Sequence, residues 1–204
     1  EYTRPESLKD VASVQRKQTE ARLLAGGQSL VQAMKLRLSR APMLIDLGGV
    51  AELKGIRVAS NIVSIGAMTR HAGVAASREV QRSIPALAKL AGGIGDRQVR
   101  NLGTLGGSLA NADPGADYPA AVLGLGATVF TNKREIPADK FFLGLFETAL
   151  KPGEIITRVD FPMPLRAGYA KFRNPASRFA LVGVFVCDTT TGVRVAVTGA
   201  GPCA

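Results

Sequence analysis

The chain has 204 residues, 46% of them hydrophobic and 21% charged, which is the composition of a globular protein of one to two domains; no run approaches the ~18 apolar residues of a membrane span. The formal charge of +10 is scattered along the chain rather than massed, and with aromatics at 5% and tryptophan absent it excludes a nucleic-acid-binding tract. Two cysteines, Cys187 and Cys203, and one histidine, His71, cannot build an iron-sulfur cluster or a zinc site.

In chain order, Ser7 is placed to cap a helix over LKDVASVQRK. ARLLAGG, residues 21–27, predicts a short buried strand running into a glycine turn, and SLVQAMKLRL a helix with Leu30, Met34 and Leu38 on one face beside Val31. MLIDL, residues 43–47, is a second short strand, so about the first 50 residues read as a small β-α-β lobe with parallel pairing. IRVA and NIVSIGA follow as strands, Thr69 is expected to cap a short helix through His71 and Ala75, and SIPALAKLAGG is a helix ended by glycine. DYPAAVLGLGA predicts a helix, TVF and REI a strand pair, FFLGLFETAL a further helix, and GEIITRVDFP a strand closed by Pro162. From Gly168 the pattern turns β-rich in YAKFRN, FALVGVFVCD and VRVAVTGAG, which puts a boundary near Pro162 to Pro164. The chain opens on Glu1 without a methionine or signal-peptide pattern and stops at GAGPCA, so both ends read as cut and the cytoplasm is the expected compartment.

Two stretches carry chemistry, AGGQSL at residues 25–30 and TLGGS at 104–108. Adjacent glycines at a strand-to-helix turn let the backbone approach a ligand and turn successive amides toward one anion. One phosphate needs one such turn; the diphosphate of a dinucleotide can be held between two, and the amides of both turns are expected to converge on it. Other glycine pairs, Gly48-Gly49 and Gly92-Gly93, mark the end of an element. The known glycine fingerprints of the Rossmann fold and the P-loop are absent. Asp113 before Pro114 starts a turn and Asp117 reads as the cap of the next helix, with a second role as acceptor for sugar or ribityl hydroxyls. His71 has no paired acid or nucleophile in sequence, which gives it a structural or cofactor-edge role; Arg97 and Arg100 read as a solvated face or a phosphate screen.

The stretches LLAGGQSLVQAMKLRL, PMLIDL, SIGAMTRHAGVA, IGDRQVRNLGTLGGSLANADPGADYPAAVLGLGA, FFLGLFETALKPGEIITRVDFP and KFRNPASRFALVGV span nearly the whole chain. In this order they resemble the FAD-binding (medium) subunit of the molybdenum hydroxylase family, the xanthine dehydrogenase and carbon monoxide dehydrogenase group. The resemblance implies an α+β fold: a two-lobed FAD-binding domain of PCMH (vanillyl-alcohol-oxidase-like) type over residues 1–162, with lobes of about 1–52 and 53–162. Residues 163–204 would begin a smaller, truncated α+β C-terminal domain. Carried across, the resemblance puts the FAD pyrophosphate on Leu24, Ala25, Gly26, Gly27, Gln28, Ser29, Leu30 and Val31, and on Thr104, Leu105, Gly106, Gly107 and Ser108. Asp117 would bind a cofactor hydroxyl, Ile156 and Arg173 fall at positions that touch the isoalloxazine end, and Ile94 stands where some relatives place an aromatic ring on the nucleotide.

The same resemblance implies electron transfer, with no catalytic residue and no metal on this chain. A molybdenum-cofactor large subunit oxidises the organic substrate, a 2Fe-2S small subunit relays electrons, and FAD passes them to a final acceptor in a heterotrimer or dimer of heterotrimers. The alternative is a stand-alone FAD oxidase or reductase of the same fold, acting directly on a small molecule; a basic scaffold is the non-enzymatic reading.

Overall fold

A computed structural model describes residues 1–203. Strand β1 (Tyr2–Thr3) leads to helix α1 (Leu8–Lys17), capped by Ser7, whose hydroxyl accepts from the Asp10 amide at 3.2 Å. Strand β2 (Arg22–Leu24), helix α2 (Leu30–Lys35) and strand β3 (Leu44–Asp46) form the expected crossover, with β3 parallel to both β2 and β1. Helix α2 is shorter than its sequence pattern: Arg37 turns left-handed at φ 60° and Leu36 and Leu38 emerge into solvent, so Leu38 shares no helical face with Leu30 and Met34. A small core of Val11, Ile45, Leu47, Val50 and Leu53 reaches across to Met68 and Ile155.

Beyond it come β4 (Ile56–Ala59), β5 (Ile62–Gly66) and six helices: α3 (His71–Ala76), α4 (Arg78–Ser83), α5 (Pro85–Gly92), α6 (Arg97–Leu102), α7 (Leu105–Asn111) and α8 (Asp117–Gly124). Thr69 does not cap α3, because its hydroxyl is taken up by the Gly55 amide and carbonyl and helical geometry starts only after Arg70. Helix α6 had no counterpart in the sequence reading; Asp96 caps it by accepting from the Val99 amide at 2.8 Å.

Strands β6 (Thr128–Thr131) and β7 (Glu135–Pro137) pair as expected. The helix expected in FFLGLFETAL is instead a hairpin of β8 (Phe142–Gly144) and β9 (Glu147–Thr148). A helix here would need a buried apolar stripe, yet only Phe141 is fully buried while Leu143, Leu145 and Phe146 are exposed; Phe146 at φ 55° makes the reversal. Strand β10 (Ile156–Pro162) then completes an antiparallel sheet in the order β4-β5-β10-β6-β7.

A third sheet, antiparallel, holds β11 (Arg166–Arg173), β12 (Ala180–Thr189) and β13 (Gly192–Thr198). Helix α7 packs on β5 and β10, whereas α5 and α8 pack against the third sheet, so the helical layer lies between these two sheets. Its core runs from Val63, Ile65 and Val159 through Leu87, Leu105 and Tyr118 to Phe185 and Cys187. Among the described residues no helix is long and apolar enough to cross a membrane.

Candidate functional site

The two glycine turns meet in space. A β-carbon on Gly26 would lie 2.3 Å from the Leu102 carbonyl oxygen and 2.7 Å from the Gly103 α-carbon, so this position admits only hydrogen. A β-carbon on Gly107 would stand 3.4 Å from that of Ala25. Between these turns, the Ile94-Gly95 loop, the start of α8, the segment before β10 and the β11–β12 loop lies a cavity of about 550 Å³, within the range of small-molecule sites.

The donors are divided unevenly. None of the Gly26, Gly27, Gln28 and Ser29 amides has a protein acceptor, and Gly27 at φ 71° turns the backbone there in a way that favours glycine. Of the second turn's amides, Thr104 to Ser108, that of Thr104 has no protein acceptor and the other four are spent. Leu105 donates to the Thr69 carbonyl at 3.1 Å, Gly106 to Ala67 at 2.8 Å, Gly107 to the Thr104 hydroxyl at 3.2 Å and Ser108 to the Thr104 carbonyl at 3.0 Å. The expected pair of amide cradles is therefore unequal: the first turn offers a run of four free amides, the second the Thr104 amide, with Thr104 and Ser108 on the cavity wall.

Of the residues singled out in the sequence, Ala25 to Leu30, Ile94, Thr104, Gly106, Gly107, Ser108, Asp117 and Ile156 line this cavity. Four do not. Leu24 and Val31 pack around Gly27 from behind, Leu105 is wholly buried in the main core, and Arg173 is exposed at the end of β11. Lining residues that sequence reasoning missed are Arg22, Met68, Leu150 and Glu154, together with Ser177, Arg178 and Phe179 of the β11–β12 loop. The Asn-Pro turn in FRNPASRF was the available signal: the Asn174 carboxamide accepts from the Ala176 and Ser177 amides and folds this loop.

Asp117 departs from its expected capping role. Ala116 holds the cap position of α8 without a side-chain bond, and the 4% exposed Asp117 accepts instead from the Tyr169 hydroxyl at 2.6 Å and from Lys171 Nζ at 2.9 Å. Burial pushes this carboxyl up from its usual range while the bonds from Tyr169 and Lys171 pull it back. Arg100 is half-buried rather than a solvated face: its guanidinium donates to the Ile94 and Gly95 carbonyls, both at 2.9 Å, and shapes that wall.

His71 lies on the wall too, 5% exposed, with its ring 5.3 Å from that of Tyr118 and Nε2 pressed against Gly103. Burial, aided by the Arg100 charge, lowers its pKa to about 4, so at neutral pH it is uncharged. Its Nδ1 has no partner, and neither has the Tyr118 hydroxyl. Unpaired amides, two hydroxyl side chains, a buried carboxylate and an apolar wall of Ile94, Met68 and Ile156 form a donor set that fits a diphosphate, a polyol and a flat ring system in one ligand.

Comparison with known proteins gives a consistent result. Residues 1–164 match the family described as the FAD binding domain in molybdopterin dehydrogenase. The chain is 36% identical to the carbon monoxide dehydrogenase medium chain of Hydrogenophaga pseudoflava, covering 100% of this chain and 76% of that one. It is 35% identical to the nicotine 6-hydroxylase medium subunit of Paenarthrobacter nicotinovorans, over 98% of this chain and 74% of the relative. Among solved structures, the carbon monoxide dehydrogenase of Hydrogenophaga pseudoflava lacking the Mo-pyranopterin moiety superposes with a TM-score of 0.94 at 36% identity, covering 100% of this chain and 75% of that one. Quinoline 2-oxidoreductase of Pseudomonas putida 86 gives 0.93 at 33% identity, over 99% and 74%.

Proposed function

Because the chain belongs to the family of FAD-binding domains of molybdopterin dehydrogenases, an oxidoreductase family whose cofactor is FAD, we propose that it holds FAD in the cavity between its two glycine turns. The observation that carries the placement is the run of four unpaired amides, Gly26 to Ser29, on the wall that also bears Thr104, Ser108 and Asp117. These amides receive the diphosphate oxygens, with the Thr104 and Ser108 side chains beside them. Asp117 keeps lone pairs free for a ligand hydroxyl. Ile94 and Ile156 supply apolar contact. His71, uncharged, adds no positive charge to this wall.

Bound FAD supplies exchange of electrons one or two at a time. The relatives are medium chains of multi-subunit complexes. The finer reading places this chain between a 2Fe-2S small subunit and a final acceptor, with the organic substrate on a molybdenum-cofactor large subunit, in a cytoplasmic heterotrimer or dimer of heterotrimers. Residues 1–162 serve as the two-lobed flavin domain, divided near residue 52, and residues 163–204 begin the next domain.

The experiment is the visible spectrum of the purified chain, followed by acid release and identification of the cofactor. Stoichiometric FAD, with no turnover of organic substrates until the other subunits are added, is the expected result. A colourless protein that takes up no FAD, or one that retains FMN, overturns the placement; substrate oxidation by this chain alone overturns the subunit role.

A further inference from the structure

The contact between Asp117 and the third sheet has no part in the reading above. Lys171 on β11 is almost wholly buried, its side chain 9% exposed, and so is the Asp117 side chain at 4%. Lys171 Nζ donates to the carboxylate at 2.9 Å and to the Gly93 carbonyl, at the end of α5, at 3.2 Å. Tyr169, two residues earlier on the same strand face, donates its hydroxyl to Oδ1 at 2.6 Å. These residues come from α5, α8 and β11, and both Asp117 and Ile94, the neighbour of Gly93, line the cavity.

A buried ion pair is a poor device for stability. Removing two charges from water is costly, and apolar side chains of the same volume serve a core as well or better. Cys187, Phe185 and Leu87 already join the third sheet to the helices without help from charge. What the pair does provide is direction and charge: an ionised carboxylate accepts hydrogen bonds only, and the bonds from Tyr169 and Lys171 fix its orientation beside the cavity that Asp117 lines. Without the ammonium the buried carboxylate would take up a proton, becoming in part a donor, and without the tyrosine hydroxyl it would be free to rotate.

We infer that Lys171 and Tyr169 are positioning residues for FAD, acting through Asp117: they hold its carboxylate ionised and aimed at a cofactor hydroxyl, so that the third sheet controls how tightly the flavin is retained. The inference rests on the FAD site proposed above. It also separates Asp117 from Lys171 in role, since the lysine acts on the wall and the aspartate meets the ligand.

The test is the FAD dissociation constant of the full chain, measured by fluorescence titration of FAD-depleted protein, for Lys171→Met, Asp117→Asn and the double variant, with Tm recorded for each. Lys171→Met is expected to weaken FAD at least tenfold, and to add less than twofold when Asp117 is already Asn. Lys171→Arg, which keeps the charge, should recover part of the loss. Unchanged affinity in Lys171→Met overturns the inference, and so does an undiminished Lys171 effect in the Asp117→Asn background. Should Lys171→Met fail to fold, Tyr169→Phe decides: a loss of threefold or more with unchanged Tm supports the role, and parental affinity refutes it. Failure of the parent chain to bind FAD at all would count against the site itself, a result distinct from parental binding that the variants leave untouched.

Discussion

Folding stability should fall steeply below neutral pH because of one side chain. His71 is the chain's one histidine, its Nδ1 is unpartnered, and burial holds its pKa at about 4 against an ordinary value of 6.5. Above pH 7 the ring is neutral in both folded and unfolded chains and makes no difference to stability. Between 6.5 and about 4 the unfolded chain binds a proton that the folded chain does not, so the folded state loses ground as pH falls; below about 4 both bind it and the loss is complete. At about 1.4 kcal/mol per pH unit the gap amounts to about 3 kcal/mol. The assay is urea unfolding of FAD-free parent and His71→Leu at half-unit pH steps from 7.5 to 4. Carboxylates titrate in the same window and cancel in the difference between the two proteins. That difference should be flat above pH 7 and shift by about 3 kcal/mol in favour of the variant by pH 4. Parallel curves, or an imidazole proton resonance of the folded protein that titrates near 6.5, would refute the assignment of a buried neutral ring.

Two further outcomes follow from the cavity wall. Gly26→Ala puts a methyl group 2.3 Å from the Leu102 carbonyl oxygen, so the turns must part; a stability loss of about 1–3 kcal/mol and at least tenfold weaker FAD binding are expected, read by chemical denaturation and fluorescence titration. Parental affinity in this variant would mean that the close approach of the turns is not what holds the cofactor. Tyr118→Phe removes a fully buried hydroxyl that has no partner, and should leave stability unchanged or raise it by about 1 kcal/mol. A loss larger than about 1 kcal/mol in urea unfolding would show that this hydroxyl is hydrogen-bonded, to a buried water for instance.

Local signals were legible where the structure uses neighbours in sequence. Ser7 caps α1 because its partner amide is three residues away, and the β2-α2-β3 crossover follows from short apolar runs on either side of a glycine turn. The hairpin at residues 142–148 departs from the expected helix because apolar residues at helical spacing can also be exposed strand tips; what decides is burial, and Leu143, Leu145 and Phe146 are all more than half exposed. Asp117 reads as a cap from its position before an apolar run, but its partners are 52 and 54 residues further on, and nothing in the local pattern carries that distance. Arg173 was placed by resemblance; Tyr169 and Lys171, on one face of β11, turn toward α8, while the register breaks between Phe172 and Arg173 and Arg173 stands exposed at the strand's end.

The glycine pairs show how far composition alone can go. Four occur, at residues 26–27, 48–49, 92–93 and 106–107, and in sequence they differ only in their neighbours. In the last three at least one amide is satisfied inside the protein: Gly48 by the Asp46 carboxylate at 2.7 Å, Gly93 by the Leu90 carbonyl at 2.9 Å, and both Gly106 and Gly107 as described above. Only the first pair, with Gln28 and Ser29 after it, leaves a continuous run of amides without acceptors beside a cavity. An N–H with no acceptor in the protein is met by a ligand or by water, and here four stand together beside a cavity. The binding signature is therefore not the glycines themselves but the unmet hydrogen bonds they expose. The second turn, whose glycines let α7 lie against Ala67 and Ala25, packs directly on the first.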